Sequence, residues 1–257
     1  MRPIEIISEI GINHNGDMKL ASEMIKISKA CNADVAKFQI YDPCEILDKN
    51  HPGIKPWWDV LKKCGLSKDN VRYLKDECDR YEIEFLASVF SLEAVDWAEE
   101  VGMKRYKIAS RSIYEDELVR KVLDTGKETI VSLGMMDARG VPNTIQKAWA
   151  SWQVKCLYCV SKYPTPLKDL RFSNRMFEPH TYRLSEIGAG IVYEGFSDHT
   201  IGTTAAAVAM SYGAKIIEKH FTLDKNMHGS DHVCSMTPDE LSTICRFRDD
   251  MEEMYEY

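Results

Sequence analysis

The sequence has 257 residues, of which 44% are hydrophobic and 28% charged, and this is the composition of an ordinary globular protein. Its net charge of −7 argues against nucleic acid or an anionic membrane surface as the partner, so an anionic small molecule would have to be bound by local lysine and arginine side chains. The sequence contains no run of about 18 apolar residues, which is the length needed to span a bilayer. The N-terminus also lacks the pattern of a signal peptide, which predicts a cytoplasmic protein.

Short β-rich runs alternate with amphipathic helical patterns along the chain. In chain order, the predicted strands are Glu5–Ile10, Val35–Gln39, Glu84–Ser88, Tyr106–Ala109, Thr129–Ser132, Lys155–Cys159, Ile191–Phe196 and Lys215–Lys219. The predicted helices are Lys19–Lys29, Lys68–Tyr81, Leu92–Val101, Glu115–Leu123, Pro142–Trp149, Ser173–Glu186, Thr203–Tyr212 and Pro238–Met251. Ser67, Ser91 and Thr237 are placed to cap three of these helices.

This alternation predicts the α/β class and, within it, a (β/α)8 TIM barrel that forms a single domain over residues 1–257. An open, doubly wound sheet is the alternative. It usually carries a glycine-rich phosphate loop after its first strand, and the segment Gly11–Gly16 lacks that fingerprint. The stretch Tyr41–Leu66 is predicted to be one long irregular loop on the C-terminal rim of the barrel, where such loops commonly form lids or substrate walls.

Almost every predicted strand ends in polar residues. In chain order these are Glu9, Asn13 and His14; Lys37 and Gln39; Ser88; Lys107 and Ser110; Ser132; Ser161 and Tyr163; Ser197, Asp198 and His199; and Glu218, Lys219 and His220. The active sites of TIM barrels lie at the C-terminal ends of the strands. The set as a whole therefore predicts a functional site, although any single member has an ordinary structural explanation.

His199 and His220 close the seventh and eighth strands, which are neighbours in a barrel. Two imidazoles from adjacent strand ends can bind one divalent metal ion and leave its other positions to water and substrate. The alternative is that each histidine is a hydrogen-bonded structural residue. Asp198 and Glu218 could support the two histidines from behind, or could point outward into salt bridges.

Lys37 and Lys107 each lie within an apolar strand, where a lysine is costly unless its charge is used. If they face inward, they form with Ser88, Ser110 and Ser197 a cradle for a phosphate or a carboxylate group. The alternative is that each lysine extends outward to solvent from the barrel wall.

The eight cysteines show no disulfide spacing. Cys156 and Cys159 form a Cys-x-x-Cys motif within a predicted strand, where residues three apart point to opposite faces. We therefore expect reduced thiols rather than a metal or redox pair.

Eight motifs occur in the order in which the sialic acid synthases carry them. They are Glu9-Ile-Gly-Ile-Asn-His-Asn-Gly16, Lys37-Phe-Gln39, Tyr106-Lys-Ile-Ala-Ser110, Ser132-Leu-Gly-Met135, Tyr163-Pro-Thr-Pro166, Phe196-Ser-Asp-His-Thr200, Glu218-Lys-His-Phe-Thr222 and Asp231-His-Val-Cys-Ser-Met236. The chain thus resembles the catalytic barrel of N-acetylneuraminate synthase and of its relatives that make legionaminic, pseudaminic and other nonulosonic acids.

The resemblance implies a transferase that condenses phosphoenolpyruvate with an open-chain N-acetylated amino sugar. It implies a divalent metal ion, with manganese as the first expectation and magnesium or cobalt as alternatives, and it allows a homodimer. By position, His199 and His220 match the metal ligands, and Glu9 matches an acidic residue beside the reacting centre. The positions that match those around phosphoenolpyruvate are Lys37, Ser88, Lys107, Ser110, Ser132, Ser161 and Ser197. Those that match contacts of the amino sugar are Gln39, Tyr163 and Asp231.

Two departures from the family pattern concern the sugar. After the fourth strand the family usually has Gly-Ser-Gly-Glu, whereas this chain reads Ala109-Ser-Arg-Ser112, so a serine replaces a glutamate and Arg111 adds a cation. Arg111 could meet a phosphorylated or acidic substrate, or could be an ordinary surface arginine. The chain also ends where the family's small antifreeze-like C-terminal domain would begin, and we expect the barrel alone.

Two other functions remain open. One is a 3-deoxy-octulosonate-type synthase that uses a sugar phosphate. The other is a barrel that binds phosphoenolpyruvate and metal without catalysis, since fold alone does not determine function.

Overall fold

A computed structural model describes residues 4–46, 48–52, 54–173, 176–177 and 192–255. In this part of the chain, eight strands form a closed barrel in sequence order, each parallel to the next, and β8 pairs with β1. The strands are β1 Glu5–Gly11, β2 Val35–Ile40, β3 Glu84–Val89, β4 Tyr106–Ile108, β5 Thr129–Ser132, β6 Val154–Cys159, β7 Gly195–Asp198 and β8 Ile216–His220. The predicted TIM barrel is confirmed.

Helices cover the outside of the barrel and connect its strands. They are α1 Met18–Ala30, α2 Pro43–Ile46, α3 Trp58–Cys64, α4 Lys68–Arg80, α5 Leu92–Glu100, α6 Asp116–Asp124, α7 Asn143–Ala150, α8 Thr204–Ser211 and α9 Pro238–Tyr255. Their buried faces pack on the outward side chains of the strands in one large apolar core. No helix within the described ranges is long and apolar enough to cross a membrane.

The three predicted caps are present. The Ser67 hydroxyl accepts a hydrogen bond from the Asn70 amide, and Ser91 caps α5 in the same way. At α9, Glu240 accepts from the Thr237 amide and Thr237 accepts from the Glu240 amide, which is a reciprocal capping box.

Three predictions along the chain were wrong, and the first is the end of α9, which lies at Tyr255 and not at Met251. Strand β7 begins at Gly195 and not at Ile191. Val192 and Tyr193 are residue types common in strands, but the Tyr193 amide donates to the Met176 carbonyl instead of to a neighbouring strand. The stretch Tyr41–Leu66 is not one irregular loop, since it contains α2, a 3-10 turn at Lys55–Trp57 and α3. Burial of apolar side chains explains this local order: Leu61 and Cys64 pack with Tyr41 in a small apolar cluster above the barrel. The predicted helix Ser173–Glu186 falls almost entirely outside the described residues.

The barrel interior is built in layers, because alternate residues of each strand point inward. One layer is apolar and consists of Ile7, Val35, Leu86, Ile130, Leu157 and Ile216. Toward the N-terminal ends of the strands, Arg105 forms ion pairs with Glu5, Glu84 and Glu128. The opposite, C-terminal side of the apolar layer carries the polar residues described next.

Candidate active site

One side chain from each strand forms a buried polar ring on the C-terminal side of the apolar layer. The ring consists of Glu9, Lys37, Ser88, Lys107, Ser132, Cys159, Ser197 and Glu218. Alternation places them there: Glu9 follows the inward Ile7 by two residues, and Lys107 lies between Tyr106 and Ile108, both of which belong to the outer core. All eight are at most 7% exposed.

Two lysines and two glutamates dominate the ring. The Lys37 ammonium donates to Glu9 at 2.6 Å and lies 3.5 Å from Glu218. Lys107 lies 3.8 Å from the other oxygen of Glu218, and each lysine is 2% exposed. The alternative that these lysines extend outward to solvent is wrong, because both ammonium groups stay inside the barrel.

The two carboxyl groups differ in acidity. Burial opposes ionisation of Glu218, but the nearby Lys107 and Lys37 outweigh it and lower its pKa to about 2. Burial raises the pKa of Glu9, and Lys37 offsets this only in part. Burial also lowers the pKa of Lys107, whereas Glu218 and Glu9 outweigh burial at Lys37 and raise its pKa. Glu218 therefore stays ionised and balances the charge of the two lysines, whereas Glu9 is the carboxyl group that takes up a proton more readily.

The serines leave hydrogen-bonding capacity in the ring. Ser197 donates to Glu218 at 2.8 Å, and Ser110 accepts from the Gly134 amide at 3.0 Å just above the ring. The buried Ser132 hydroxyl has no hydrogen-bond partner among the described residues. A buried hydroxyl without a hydrogen-bond partner destabilises a protein core. In a binding site, however, a ligand can supply the missing hydrogen bond.

Cys159 is the ring member that sequence reasoning missed. Its Sγ atom lies 3.8 Å from Nδ1 of His199 and 3.9 Å from the Ser161 hydroxyl. Cys156 faces the outer core, so the predicted opposite orientation of the two thiols is confirmed, and none of the eight cysteines forms a disulfide. Counting inward positions along β6 would have found Cys159, because Leu157 is the inward residue of the apolar layer.

His199 and His220 lie above the ring at the ends of β7 and β8, with ring centroids 5.5 Å apart. The Nδ1 atom of His199 is 3.1 Å from the Val160 carbonyl oxygen, so Nδ1 carries the proton and Nε2 is free to bind a metal ion. Nδ1 of His220 is buried and forms no hydrogen bond with any described residue, and burial lowers its pKa, which favours the neutral, ligating form.

These two imidazoles fit a divalent ion that is held by few protein ligands. In the described ranges no three His, Cys, Asp or Glu side chains converge on one metal position. The protein would therefore supply His199 and His220 and leave the remaining positions to water and substrate. Asp231 lies 3.7 Å from Nδ1 of His220.

The remaining predicted site residues lie on the rim. Gln39 donates to Glu9 at 2.9 Å, and the Tyr163 ring packs on His199 with centroids 4.0 Å apart. Gly11 has φ +55°, and a Cβ atom there would lie 3.0 Å from a Glu9 oxygen and 3.1 Å from the Gln39 amide nitrogen. The left-handed φ therefore favours glycine beside the candidate acid, and a larger residue would press on the side-chain ends of Glu9 and Gln39.

Of the two residues behind the histidines, Asp198 forms the predicted outward salt bridge, and Glu218 takes neither of the two predicted roles. Glu218 points into the ring, whereas Asp198 points away from it and forms a buried ion pair with Lys219. At the departure from the family motif, the buried Ser112 donates to Glu115 at 3.1 Å. Arg111 is exposed at the rim, where it donates to the Ile46 carbonyl at 2.9 Å and lies over the Phe90 ring at 5.9 Å.

The fold and this site define the class as a TIM barrel with a buried ring of two lysines and two glutamates below two histidines. The sequence profile of the NeuB family matches residues 24–256. The chain is 32% identical to the N,N'-diacetyllegionaminic acid synthase of Campylobacter jejuni, over 95% of this chain and 75% of that protein. It is 30% identical to the human N-acetylneuraminate-9-phosphate synthase, over 95% of this chain and 69% of that protein.

A solved structure gives the same result. The N-acetylneuraminic acid synthetase of Leptospira borgpetersenii, crystallised with citrate, has a TM-score of 0.84 and 28% identity, over 100% of this chain and 86% of the other. The chain therefore belongs to the NeuB family, and the predicted resemblance to the sialic acid synthases is confirmed. The expectation of an enzyme of this type is confirmed with it.

Proposed function

We propose that this chain is a nonulosonate synthase. It would condense phosphoenolpyruvate with an open-chain N-acetylated amino sugar, such as N-acetylmannosamine, to a nine-carbon 2-keto acid and phosphate. The observation that carries the proposal is the buried ring, which combines two lysines, several serine hydroxyls and two carboxyl groups of different acidity.

The ring suits an anion with two charged ends. Phosphoenolpyruvate carries a carboxylate and a phosphate, and Lys37 and Lys107 are two inward cations shared with only two carboxylates. Protonation of Glu9 would leave the lysines with one counter-charge, that of Glu218, and so a net positive site for the substrate. Serine hydroxyls such as that of Ser132 can donate to the remaining oxygens.

Glu9 is the proposed proton-transfer group. When C3 of phosphoenolpyruvate attacks the sugar aldehyde, a C–C bond forms and the aldehyde oxygen must take up a proton, which a Glu9 with a raised pKa can supply. Water then adds at C2 and loses a proton, and ionised Glu9 can accept it. The C2–O bond to phosphate breaks and its electron pair leaves with phosphate, while the remaining hydroxyl at C2 gives its proton to the departing phosphate and becomes the keto group.

His199 and His220 would hold the metal ion, with manganese as the first choice and magnesium or cobalt as alternatives. When bound, such an ion polarises the aldehyde oxygen. Tyr163 packs on His199 and Asp231 lies beside His220, so both are positioned to contact a sugar at the rim.

A phosphorylated sugar is a second candidate substrate. It is favoured by Arg111, an exposed cation near the rim at the position of the family's glycine, and the human relative is named for a 9-phosphate product. A guanidinium group is suited to bind phosphate.

Mass spectrometry of the products from phosphoenolpyruvate, manganese and a mixed sugar panel tests the proposal. The panel should contain N-acetylmannosamine, its 6-phosphate, bacillosamine-type sugars and arabinose 5-phosphate. We expect a nine-carbon 2-keto acid and equimolar phosphate. An eight-carbon product from arabinose 5-phosphate would instead show a 3-deoxy-octulosonate-type synthase. Binding of phosphoenolpyruvate without any product would show a non-catalytic barrel.

A further inference from the structure

A fully buried ion pair lies directly behind the two histidines. The Lys219 ammonium is 3.0 Å from a carboxylate oxygen of Asp198, and both side chains are 0% exposed. The two residues form the last register pair between β7 and β8, and His199 and His220 are the residues that follow them. The pair points away from the ring, on the side of the barrel wall where Phe196 and Ile217 belong to the outer core.

The pair also holds the backbone around His199. The other oxygen of Asp198 accepts from the Thr200 amide at 2.7 Å, and Lys219 donates to the Thr200 carbonyl at 2.5 Å. His199 thus lies between two residues that are tied to the neighbouring strand through side chains, in addition to the backbone ladder. The same lysine immediately precedes His220, so one ion pair constrains both histidines.

A second connection joins the same two strands inside the barrel. One register step earlier, Ser197 donates to Glu218 across the same two strands, on the inner face. The tips of β7 and β8 are therefore joined by side chains on both faces. A purely structural junction needs only its backbone hydrogen bonds, whereas two metal ligands must keep a distance set by the ion.

We propose that Asp198 and Lys219 are positioning residues, which set the separation and orientation of His199 and His220 for a divalent ion. This inference rests on the proposed function only through the metal. Removal of residues that orient metal ligands typically costs about 10–100-fold in metal affinity. We expect the same loss here, without any change in the ligands themselves.

The test is Mn²⁺ affinity, measured from the paramagnetic resonance signal of free Mn²⁺ in titrations of the intact protein. The variants are Lys219→Met and the double variant Asp198→Asn with Lys219→Met. The double variant leaves no lone buried charge and keeps an oxygen for the Thr200 amide, so it is the variant expected to fold best. Both should bind Mn²⁺ about 10–100-fold more weakly than the wild type.

The chain offers a control with similar contacts at the other end of the barrel. Arg248 is 5% exposed, pairs with Asp34 at 2.6 Å and donates to the Asn32 carbonyl, just as Lys219 pairs with Asp198 and a carbonyl, although the Asp34 side chain is 42% exposed. The double variant Asp34→Asn with Arg248→Met should lower the melting temperature and leave Mn²⁺ affinity within about twofold of the wild type.

The outcomes separate the two proposals. The ion pair of Asp198 and Lys219 is called the clamp below. Clamp variants that lose only thermal stability and keep wild-type Mn²⁺ affinity would overturn the positioning role. A wild-type protein that binds no Mn²⁺ would overturn the metal site and the clamp with it. A wild-type protein that binds Mn²⁺ but forms no product would overturn the synthase reaction alone, and the clamp would still be judged by its affinities.

Discussion

The two ends of the barrel interior use buried charge in opposite ways. At the N-terminal end, one cation, Arg105, is matched by the carboxylates of Glu5, Glu84 and Glu128, and all four are partly accessible to water. At the C-terminal end, two lysines and two glutamates are almost wholly enclosed, and the Ser132 hydroxyl has no partner among the described residues. The first arrangement is complete within the protein, whereas the second has capacity left for a ligand.

The same strands supply both ends. Glu5 and Glu9 are four residues apart on β1, and Arg105 and Lys107 are two apart at β4. The first pair therefore compares two glutamates, and the second compares two cations. In each pair one residue has a structural setting and the other a functional one. The position along the strand, rather than the residue type, decides which role a charge has.

The largest expected effect comes from Glu9→Gln. Glutamine keeps the size of the side chain but carries no transferable proton, so we expect kcat to fall by about 100- to 10,000-fold. The KM for phosphoenolpyruvate should change much less, because Lys37 and Lys107 remain. Glu5→Gln on the same strand is the control, and its kcat should equal that of the wild type in steady-state phosphate release. A Glu9→Gln enzyme with wild-type kcat would remove Glu9 from the chemistry.

The next effect concerns stability at the N-terminal end. Arg105→Met leaves three neighbouring carboxylates without their common cation, so the free energy of unfolding should fall by about 3 kcal/mol. The folded fraction should retain the wild-type kcat/KM, since the apolar layer separates Arg105 from the site. Urea unfolding and assays on the same preparation check both parts. A large loss of kcat/KM in the folded enzyme would contradict the separation of the two ends.

The smallest effect is a pH dependence of opposite sign at the two ring carboxyls. In the folded chain the pKa of Glu218 is about 2, below its ordinary 4.5, so its stabilising contribution is present above pH 4.5 and is lost as the pH falls toward 2. The pKa of Glu9 is raised, so its contribution is present below 4.5 and declines as the pH rises. Unfolding free energies should show the stability advantage of wild type over Glu218→Gln shrinking on acidification. For Glu9→Gln it should grow, and equal slopes for both variants would contradict the assignment.

The alternation of inward and outward side chains along each strand explains how much of the fold and of the candidate site could be predicted from the sequence. The barrel, the inward Lys37 and Lys107 and the neighbouring His199 and His220 follow from strand order and from the period of two along each strand. Cys159 was not predicted, because the predicted site residues Ser161 and Tyr163 follow the end of β6, whereas Cys159 is an inward position within the strand. The partition of charge, with Glu218 ionised and Glu9 easier to protonate, depends on distances of 2.6–3.8 Å between residues far apart in sequence.

The sequence patterns also did not predict the helices within Tyr41–Leu66 or the start of β7 at Gly195. The first depends on tertiary burial of Leu61 and Cys64, which no local period shows. The second depends on where the sheet ladder begins, and apolar residues occur on both sides of that point.

The most direct test of the central contrast is the affinity for phosphoenolpyruvate of Lys107→Met and Arg105→Met, measured by titration calorimetry with manganese present. If the C-terminal ring is the anion site, Lys107→Met should weaken binding by at least about 100-fold, as expected for loss of a buried charged contact. Arg105→Met should bind like the wild type. Equal affinities in the two variants, or a greater loss in Arg105→Met, would contradict the assignment of the ring as the phosphoenolpyruvate site.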